Sequence, residues 1–408
     1  MDAATKISRL TTEQKVRLCI DPSTLRISEI PEAGIPGLRM TDGTSGLRIF
    51  DTPDPDPQKA VFKEAINSSF DTEDAMAITH PATCFPAGSA LACSFDTELA
   101  EEIGAAVAGE CKSVNVGLLF GPGLNTRRSP LDGRGFEYYS EDPVLAGDIA
   151  SGMVKGLQEN EVAACVKHFV CNNSNYLRTI TDNVVEERAL REIYLAAFER
   201  VMKQAHPASV MVSYNKLNGI QAAENRWLMT DVLRKEWGFE GVVMSDCGAV
   251  KDHLGAYRAG LDYEMPHSRI ATDKYISAVE NGEIPEEELD LHAERILSLI
   301  SKYSRQGKDT IQADFEKNHE LARKAAVKCA VLLKNEGNLL PLSRTAKITV
   351  MGSWAKKPVF QGTGCAIVKA QRSDIPLDEI QARCPGIVFV TGYSDPLCPD
   401  EEELCEAE

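Results

Sequence analysis

A unit made of a short apolar run, a polar loop and a helical segment repeats along most of the chain. The apolar runs close at Thr41, Gly121, Val166, Ser213 and Ser245. This alternation is typical of βα units, which build a mostly parallel sheet covered by helices. The region that ends near residue 305 has the size of one (β/α)8 TIM-like barrel, for which about 250 residues is typical. We therefore predict an α/β fold with such a barrel at residues 1–305.

A smaller unit is predicted to follow the barrel. Residues 306–319 are mostly polar and predict a linker. Residues 320–408 offer a helix, a few short apolar strands and an acidic end. This content predicts an α/β sandwich domain that is incomplete within the sequence.

Composition and charge narrow the classes of partner. The formal net charge of −17 argues against nucleic acid and anionic membrane surfaces, whereas a neutral ligand would not be repelled. No apolar run is long enough to cross a bilayer. The 12 cysteines form no Cys-x-x-Cys pair, so neither a zinc site nor a disulfide scaffold is predicted. With no signal-peptide pattern at the N-terminus, the sequence favours a cytoplasmic protein that needs no metal or cofactor.

Polar residues that could bind or react cluster where the predicted strands end. They are Asp42, Arg134, Lys167, His168, Tyr214 and Asp246. Each has an ordinary structural explanation: an Asp before Gly43 is common in turns, and Asp246 could cap a helix that begins near Ala249. Ligands of barrels and open α/β sheets nevertheless bind beyond the carboxyl ends of the strands. The shared position of these six polar residues at strand ends therefore predicts that they line one pocket.

Several motifs, in order and over nearly the whole chain, resemble the β-glucosidase branch of glycoside hydrolase family 3. The matching stretches are Asp42-Gly43-Thr44-Ser45-Gly46-Leu47-Arg48, Ala82-Thr83-Cys84-Phe85-Pro86, Gly133-Arg134-Gly135-Phe136-Glu137-Tyr138-Tyr139-Ser140-Glu141-Asp142-Pro143, Lys167-His168-Phe169, Val212-Ser213-Tyr214-Asn215-Lys216-Leu217-Asn218-Gly219, Met244-Ser245-Asp246, and Leu333-Lys334-Asn335 with Leu339-Leu340-Pro341-Leu342. Several independent motifs in order are more specific than any single one.

The resemblance implies a barrel followed by a sandwich domain, and hydrolysis of terminal β-D-glycosidic bonds with retention. By position, Asp246 resembles the family's nucleophile. The positions that resemble the sugar-pocket wall are Asp42, Arg48, Arg134, Lys167, His168, Arg178, Met211 and Tyr214. The chemistry is consistent, because an attacking carboxylate benefits from cations that lower its pKa and that also bind sugar hydroxyls.

Two departures from the family pattern affect what the resemblance implies. Cys247 stands where this branch commonly has a Trp that forms part of the sugar platform, so the preferred β-glycoside is left open. The family's general acid in this branch is a Glu of the second domain, and none of the late acids between Glu401 and Glu408 matches it. These acids are instead typical of a solvated charge run. The oligomeric state is not predicted.

Two other functions stay open at this point. Lys167 follows a strand and could form a Schiff base with a carbonyl substrate, which would make the protein a barrel lyase. Alternatively, the chain could bind sugar and turn it over poorly or not at all, since its proton donor is not found. The motifs favour a hydrolase ancestry over the lyase, whereas a truncated family member would have the same motifs and the missing proton donor argues against full activity.

Overall fold

The structure is a computed structural model that describes residues 6–20, 25–49, 80–266 and 268–392. We call the part up to residue 305 the N-terminal region and the part from 306 the C-terminal region. The strands are, in chain order, β1 Arg26–Ile27, β2 Leu38–Asp42, β3 Leu118–Phe120, β4 Ala163–Phe169, β5 Asp182–Asn183, β6 Ser209–Val212, β7 Lys216–Leu217, β8 Ile220–Gln221, β9 Val242–Ser245, β10 Thr349–Met351 and β11 Val388–Val390.

The helices alternate with the main strands, as the sequence predicts. They span Thr12–Cys19, Gly88–Ala92, Thr97–Ser113, Pro143–Glu159, Glu187–Ala189, Leu190–Tyr194, Ala196–Ala205, Trp227–Glu236, His253–Ala259, Arg269–Glu280, Glu286–Tyr303, Phe315–Lys328 and Pro376–Arg383. Short 3-10 turns lie at Pro31–Ala33, Gly135–Glu137, Ala222–Glu224, Glu336–Asn338, Ser353–Ala355 and Gly364–Ala366. The first helix follows Thr11, where Thr11 and Gln14 form a reciprocal capping box.

The main sheet has six strands in the order β1-β2-β3-β4-β6-β9. All neighbours from β2 to β9 are parallel, and β1 runs antiparallel to β2. The register places Lys167 beside Met211 and Met211 beside Met244. Because the strands are parallel, their carboxyl ends meet at one edge of the sheet.

Both faces of this sheet are buried, which explains why its strands appear as short apolar runs in the sequence. Val210, Val212 and Val243 belong to one core cluster, which they share with the helices between β2 and β6. Met211 and Met244 alternate with them and belong to a second cluster, which includes the first helix and the helices after β9. Alternation along a strand therefore sends successive side chains into two separate cores.

The predicted α/β class and parallel sheet are confirmed, but the described residues form only part of the predicted (β/α)8 barrel. Beyond β9, the pairing continues only through single bridges, from Met244 to Tyr263 and from Glu264 to Ile20. Single bridges have too few ladder hydrogen bonds to count as strands. Eight-strand closure is therefore not observed in the described residues.

The C-terminal region contains one parallel pair, β10 with β11, and a helix at Phe315–Lys328. It joins the N-terminal region through a parallel bridge between Ala82 and Ala370. The predicted boundaries at 305 and 319 stay predictions, and the acidic end at 400–408 lies outside the described residues. Within the described part of the chain, no helix is long and apolar enough to cross a membrane.

Candidate active site

The predicted site residues gather at the carboxyl edge of the main sheet. Asp42 is the last residue of β2, Lys167 and His168 lie near the end of β4, and Met211 lies in β6. Asp246 comes directly after β9. The sheet register therefore brings side chains together that are up to two hundred residues apart in sequence.

Asp42 and Lys167 form a largely buried ion pair. Lys167 Nζ donates to Asp42 Oδ1 at 2.8 Å, and the two side chains are 3% and 15% exposed. Burial alone would lower the pKa of Lys167, but the carboxylates of Asp42 and Glu137 outweigh it and raise that pKa. Lys167 is therefore held as a cation. A Schiff-base lysine must instead be neutral to attack, so this environment argues against the lyase.

A tight loop connects Asp42 to Arg48, and it depends on Gly46. Arg48 is 1% exposed, and its backbone N–H donates to the Asp42 carbonyl at 3.1 Å. Gly46 has φ +146°, and a Cβ there would overlap the carbonyl oxygen of Thr83. Both facts require glycine at this position, which explains its place between the two pocket residues.

The buried carboxylate of Asp246 has one oxygen in a hydrogen bond and one without such a bond among the described residues. Its Oδ1 accepts from the backbone N–H of Cys247 at 2.7 Å. Its Oδ2 has no hydrogen-bond partner among the described residues and lies 3.4 Å from His168 Nε2. The next helix begins at His253 and has Asp252 at its N-cap position, so the helix-cap explanation of Asp246 is wrong.

The electrostatics around Asp246 are a balance between burial and cations. Burial raises the pKa of its carboxyl group. The charges of Arg134, Lys167 and Arg178, together with the Cys247 N–H, oppose this rise. A carboxylate among three cations can stay ionised in a site that excludes water, which is the state that nucleophilic attack requires.

Arg134 is fixed by a carboxylate that the sequence did not single out. Its Nε donates to Oε1 of Glu137, whose side chain is only 2% exposed. Burial alone would lower the pKa of Arg134, but Glu137, Tyr138 and Asp246 raise it well above its usual range. The i,i+3 spacing of Arg134 and Glu137 was an available signal, but it also occurs in many exposed pairs.

Arg178 and Tyr214 form the remaining wall of the site. The Arg178 guanidinium lies 4.6 Å from the centroid of the Tyr214 ring. Such a stack presents a planar surface with positive charge, and it holds the ring in place. Met211 is 3% exposed and joins the cluster through the sheet register rather than through a polar contact.

Three further residues hold His168, and sequence reasoning missed them. The Asn125 side chain accepts from the His168 backbone N–H and donates to its carbonyl, both at 2.9 Å. Tyr138 Oη lies 3.0 Å from His168 Nδ1, and Asn172 Nδ2 donates to Tyr138 Oη at 3.0 Å. All three lie in loops or motifs near a strand end, but nothing in their spacing predicts these partners.

A loop of the C-terminal region borders the same site. A Cβ on Gly362 would overlap the ring of Phe136, so the Gly362 backbone lies directly against that ring. Burial raises the pKa of the nearby Cys365 thiol. The charge of Asp42 adds to this rise in pKa, whereas the charges of Arg48 and Lys167 oppose it. The loop at 362–365 is thus next to the predicted pocket.

Comparison with known proteins identifies the family. The glycosyl hydrolase family 3 N-terminal domain matches residues 68–299, and the family's C-terminal domain matches residues 330–406. Thermostable beta-glucosidase B of Acetivibrio thermocellus is 43% identical over 98% of this chain and 52% of its own length. An exo-alpha-(1->6)-L-arabinopyranosidase of Bifidobacterium breve is 38% identical over 98% of this chain and 52% of its own length.

Solved structures agree with this result. The crystal structure of a Bifidobacterium adolescentis GH3 beta-glucosidase is 38% identical with a TM-score of 0.86, over 98% of this chain and 55% of that one. The chain spans about half the length of the curated relatives it matches. Matches to both domains of the family, with this identity over nearly the whole chain, show that the chain belongs to glycoside hydrolase family 3.

Proposed function

We propose that the protein hydrolyses terminal β-D-glycosidic bonds with retention and that Asp246 is its nucleophile. The observation that carries the proposal is the buried Oδ2 of Asp246, which lacks a hydrogen-bond partner among the described residues and lies among three cations. A free, desolvated carboxylate oxygen is what attack on an anomeric carbon requires. The β-glucosidase names of the relatives support this reaction.

The surrounding residues are suited to a neutral sugar. Asp42 can accept two hydroxyl groups while Lys167 donates to a third, and the two stay paired to each other. Arg134 and Arg178 add charged donors, and the hydrogen bonds that they make are stronger in a site with little water. The Tyr214 face, braced by Arg178, can pack against the ring of the sugar. The proposed ligand is therefore a pyranoside held mainly by hydrogen bonds to its hydroxyl groups.

The reaction follows in two steps. Asp246 Oδ2 forms a bond to the anomeric carbon while the bond from that carbon to the leaving oxygen breaks, and the leaving oxygen takes a proton from an acid. Water then attacks the glycosyl-enzyme, the ester bond to Asp246 breaks, and the water loses a proton. Among the described residues of the cluster, Asp42 and Glu137 are the other carboxylates, and each is held in an ion pair. Neither is therefore a suitable acid.

Family membership also supports the finer fold predictions. We infer that the N-terminal region closes into a TIM-like barrel and that residues 320–408 belong to the sandwich domain. The proposed general acid is a Glu of that domain, as the family resemblance implies. The reaction needs no cofactor.

Covalent labelling tests the proposed nucleophile. The dinitrophenolate leaving group of a 2-fluoro-β-glucoside departs with little protonation. Such a compound should therefore label Asp246 even without the general acid. Peptide mass spectrometry should find the adduct on the peptide that contains Asp246. The Asp246→Asn variant should not be labelled. A label on another residue, or equal labelling of the variant, would overturn the assignment.

Comparing leaving groups tests whether the residues of this chain include a general acid. Hydrolysis of cellobiose, whose leaving sugar oxygen needs a proton, should be slower by about 10²–10⁴-fold than in an enzyme with its acid in place. Undiminished cellobiose hydrolysis would contradict this. Parallel assays with aryl β-glucoside and aryl α-L-arabinopyranoside separate the two substrates that the relatives' names suggest.

Sugar binding without turnover is the second candidate, because the cluster lacks a free acid among the described residues. In that case, calorimetry would detect glucose binding that Asp42→Asn weakens, while Asp246 would stay unlabelled.

A further inference from the structure

His168 is among the most tightly held side chains of the site. Its backbone is clamped on both sides by the Asn125 amide, and its ring is 1% exposed. Both ring nitrogens face a polar atom: Nδ1 lies 3.0 Å from Tyr138 Oη, and Nε2 lies 3.4 Å from Asp246 Oδ2. The function of the ring therefore depends on which nitrogen carries the proton.

The contacts of Tyr138 decide that question. Asn172 Nδ2 donates to Tyr138 Oη at 3.0 Å, so this oxygen already acts as an acceptor. A phenol has one proton to give, and Nδ1 of His168 is the acceptor that lies in reach. With Tyr138 donating to Nδ1, the proton of a neutral imidazole must be on Nε2. That nitrogen lies 3.4 Å from Asp246 Oδ2, without forming a hydrogen bond to it.

The ring is neutral in this setting. Burial lowers the pKa of His168 well below its usual value. The nearby cations Arg134, Lys167 and Arg178 act in the same direction. One proton is therefore shared between two nitrogens, and the hydrogen-bond chain selects its position.

We propose that Tyr138 and Asn172 are positioning residues that hold His168 as its Nε2–H tautomer, so that an N–H and not a lone pair lies 3.4 Å from Asp246 Oδ2. The other tautomer would direct a lone pair at the carboxylate and repel it. With Oδ1 held by the Cys247 N–H, a donor near Oδ2 fixes the rotation of the carboxylate about its Cβ–Cγ bond. The role in catalysis rests on the proposed function of Asp246, but the tautomer itself does not.

Nitrogen NMR of protein labelled with 15N-histidine tests the tautomer directly. The chain has 7 histidines, and the His168→Gln variant assigns the signal of interest. The intact protein should show a protonated Nε2 and an unprotonated Nδ1 at His168. A protonated Nδ1 would overturn the proposal without any further variant.

Variants then test the chain of donors. Tyr138→Phe removes the donor to Nδ1 and should move the proton population toward Nδ1. Asn172→Ala should act in the same direction, because the Tyr138 hydroxyl becomes free to rotate. Tyr139→Phe is the matched control: it removes the hydroxyl of the neighbouring buried tyrosine and should leave the tautomer unchanged. An unchanged tautomer in Tyr138→Phe would overturn the proposal.

The rate of Asp246 labelling connects the tautomer to the reaction. In Tyr138→Phe the labelling rate should fall about 10-fold, as expected for one lost hydrogen bond near the reacting group, with little change in the affinity for the glycoside. Labelling at the original rate despite a changed tautomer would overturn the positioning role. Failure of the unmodified protein to be labelled at Asp246 would instead count against the proposed function, and the NMR result would still stand.

Discussion

At the residue scale, Asp262 shows how one buried carboxylate can anchor the strand that carries the proposed nucleophile. Its Oδ1 accepts from His292 at 2.7 Å and from Arg295 at 2.8 Å, and its Oδ2 accepts from Arg234 at 2.5 Å and from the Val243 N–H at 2.8 Å. Burial alone would raise the pKa of Asp262, but Arg234, His292 and Arg295 lower it to about 2. The charged form is therefore the stabilised one.

We expect Asp262→Asn to lower the free energy of unfolding at pH 7 by about 3–5 kcal/mol, because it leaves buried cations without their carboxylate. Since the folded pKa lies below the unfolded one, this contribution is full above about pH 4 and is lost as pH falls toward 2. Urea unfolding at pH 7 and near pH 3 should show a smaller loss at the lower pH. Asp148→Asn, which breaks the partly exposed pair with Arg200, is the control and should cost below about 1 kcal/mol. An equal loss in both variants would contradict the prediction.

The cations around Asp246 lead to a prediction about pH. Because burial raises the pKa of Asp246, the acid limb of its labelling rate should lie above the usual range of an aspartate. Arg178 lowers this pKa, so Arg178→Gln should move the acid limb to still higher pH. The control is Arg188→Gln, an exposed arginine paired with Glu192. If the acid limb of Arg178→Gln stays at the original pH, the electrostatic role of Arg178 is wrong.

At the element scale, strands were predictable where the physics is local. The apolar run that closes at Ser245 is observed as the strand Val242–Ser245, because a strand that is buried on both faces must be apolar along its length. The spacing of four between Leu99, Ile103 and Val107 likewise predicts a helix, and these residues lie in the helix Thr97–Ser113. The three-stranded sheet of β5, β7 and β8 was not predicted, since two-residue strands are too short to show a period.

Partners across the fold were beyond sequence reasoning for a related reason. The predicted strand-end residues do converge, because parallel topology alone brings strand ends together. The contact of Tyr138 with His168 depends instead on loop geometry. The roles predicted for the site residues stay predictions until they are measured.

The Asp42–Arg48 loop provides a test at this scale. Gly46→Ala places a side chain at φ +146° and against the Thr83 carbonyl, so the loop must change its path. We expect glucose affinity and the rate of Asp246 labelling each to fall by more than about 10-fold. The melting temperature should fall only modestly. Gly133→Ala is the control, because a Cβ there has open space and the glycine has no positive φ. Normal binding by Gly46→Ala would mean that the loop does not position the pocket residues.

At the scale of the whole molecule, the two regions meet beside the candidate site. Ala82 pairs with Ala370, and the adjacent Thr83 lies against Gly46. Glu110 holds the segment around Thr83 in place, because the Thr83 backbone N–H donates to both Glu110 carboxylate oxygens, at 3.2 and 3.0 Å. The geometry of the pocket loop thus depends on the contact between the regions. The domain boundaries and the cytoplasmic location stay predictions, because these contacts test neither of them.

Glu110 links both regions and allows a test of this dependence. It is 1% exposed, and its Oε1 also accepts from Asn318 Nδ2 at 2.7 Å, in the helix Phe315–Lys328. Glu110→Ala would leave two buried donors without an acceptor, at a cost of about 1–3 kcal/mol for each. We expect faster amide hydrogen exchange in that helix and in residues 82–85, together with slower labelling of Asp246.

Glu110→Gln separates the hydrogen bonds from the charge. Burial raises the pKa of Glu110, so the folded state favours its neutral form and the buried charge is unfavourable at neutral pH. A neutral Gln keeps one acceptor for the two donors and should therefore accelerate exchange less than Ala does. Glu102→Ala is the control, since its pair with Lys324 joins the same two helices at about half exposure and should change exchange little. Exchange in Glu110→Ala that matches the original protein, or that matches Glu102→Ala, would contradict a structural link between the C-terminal region and the candidate site.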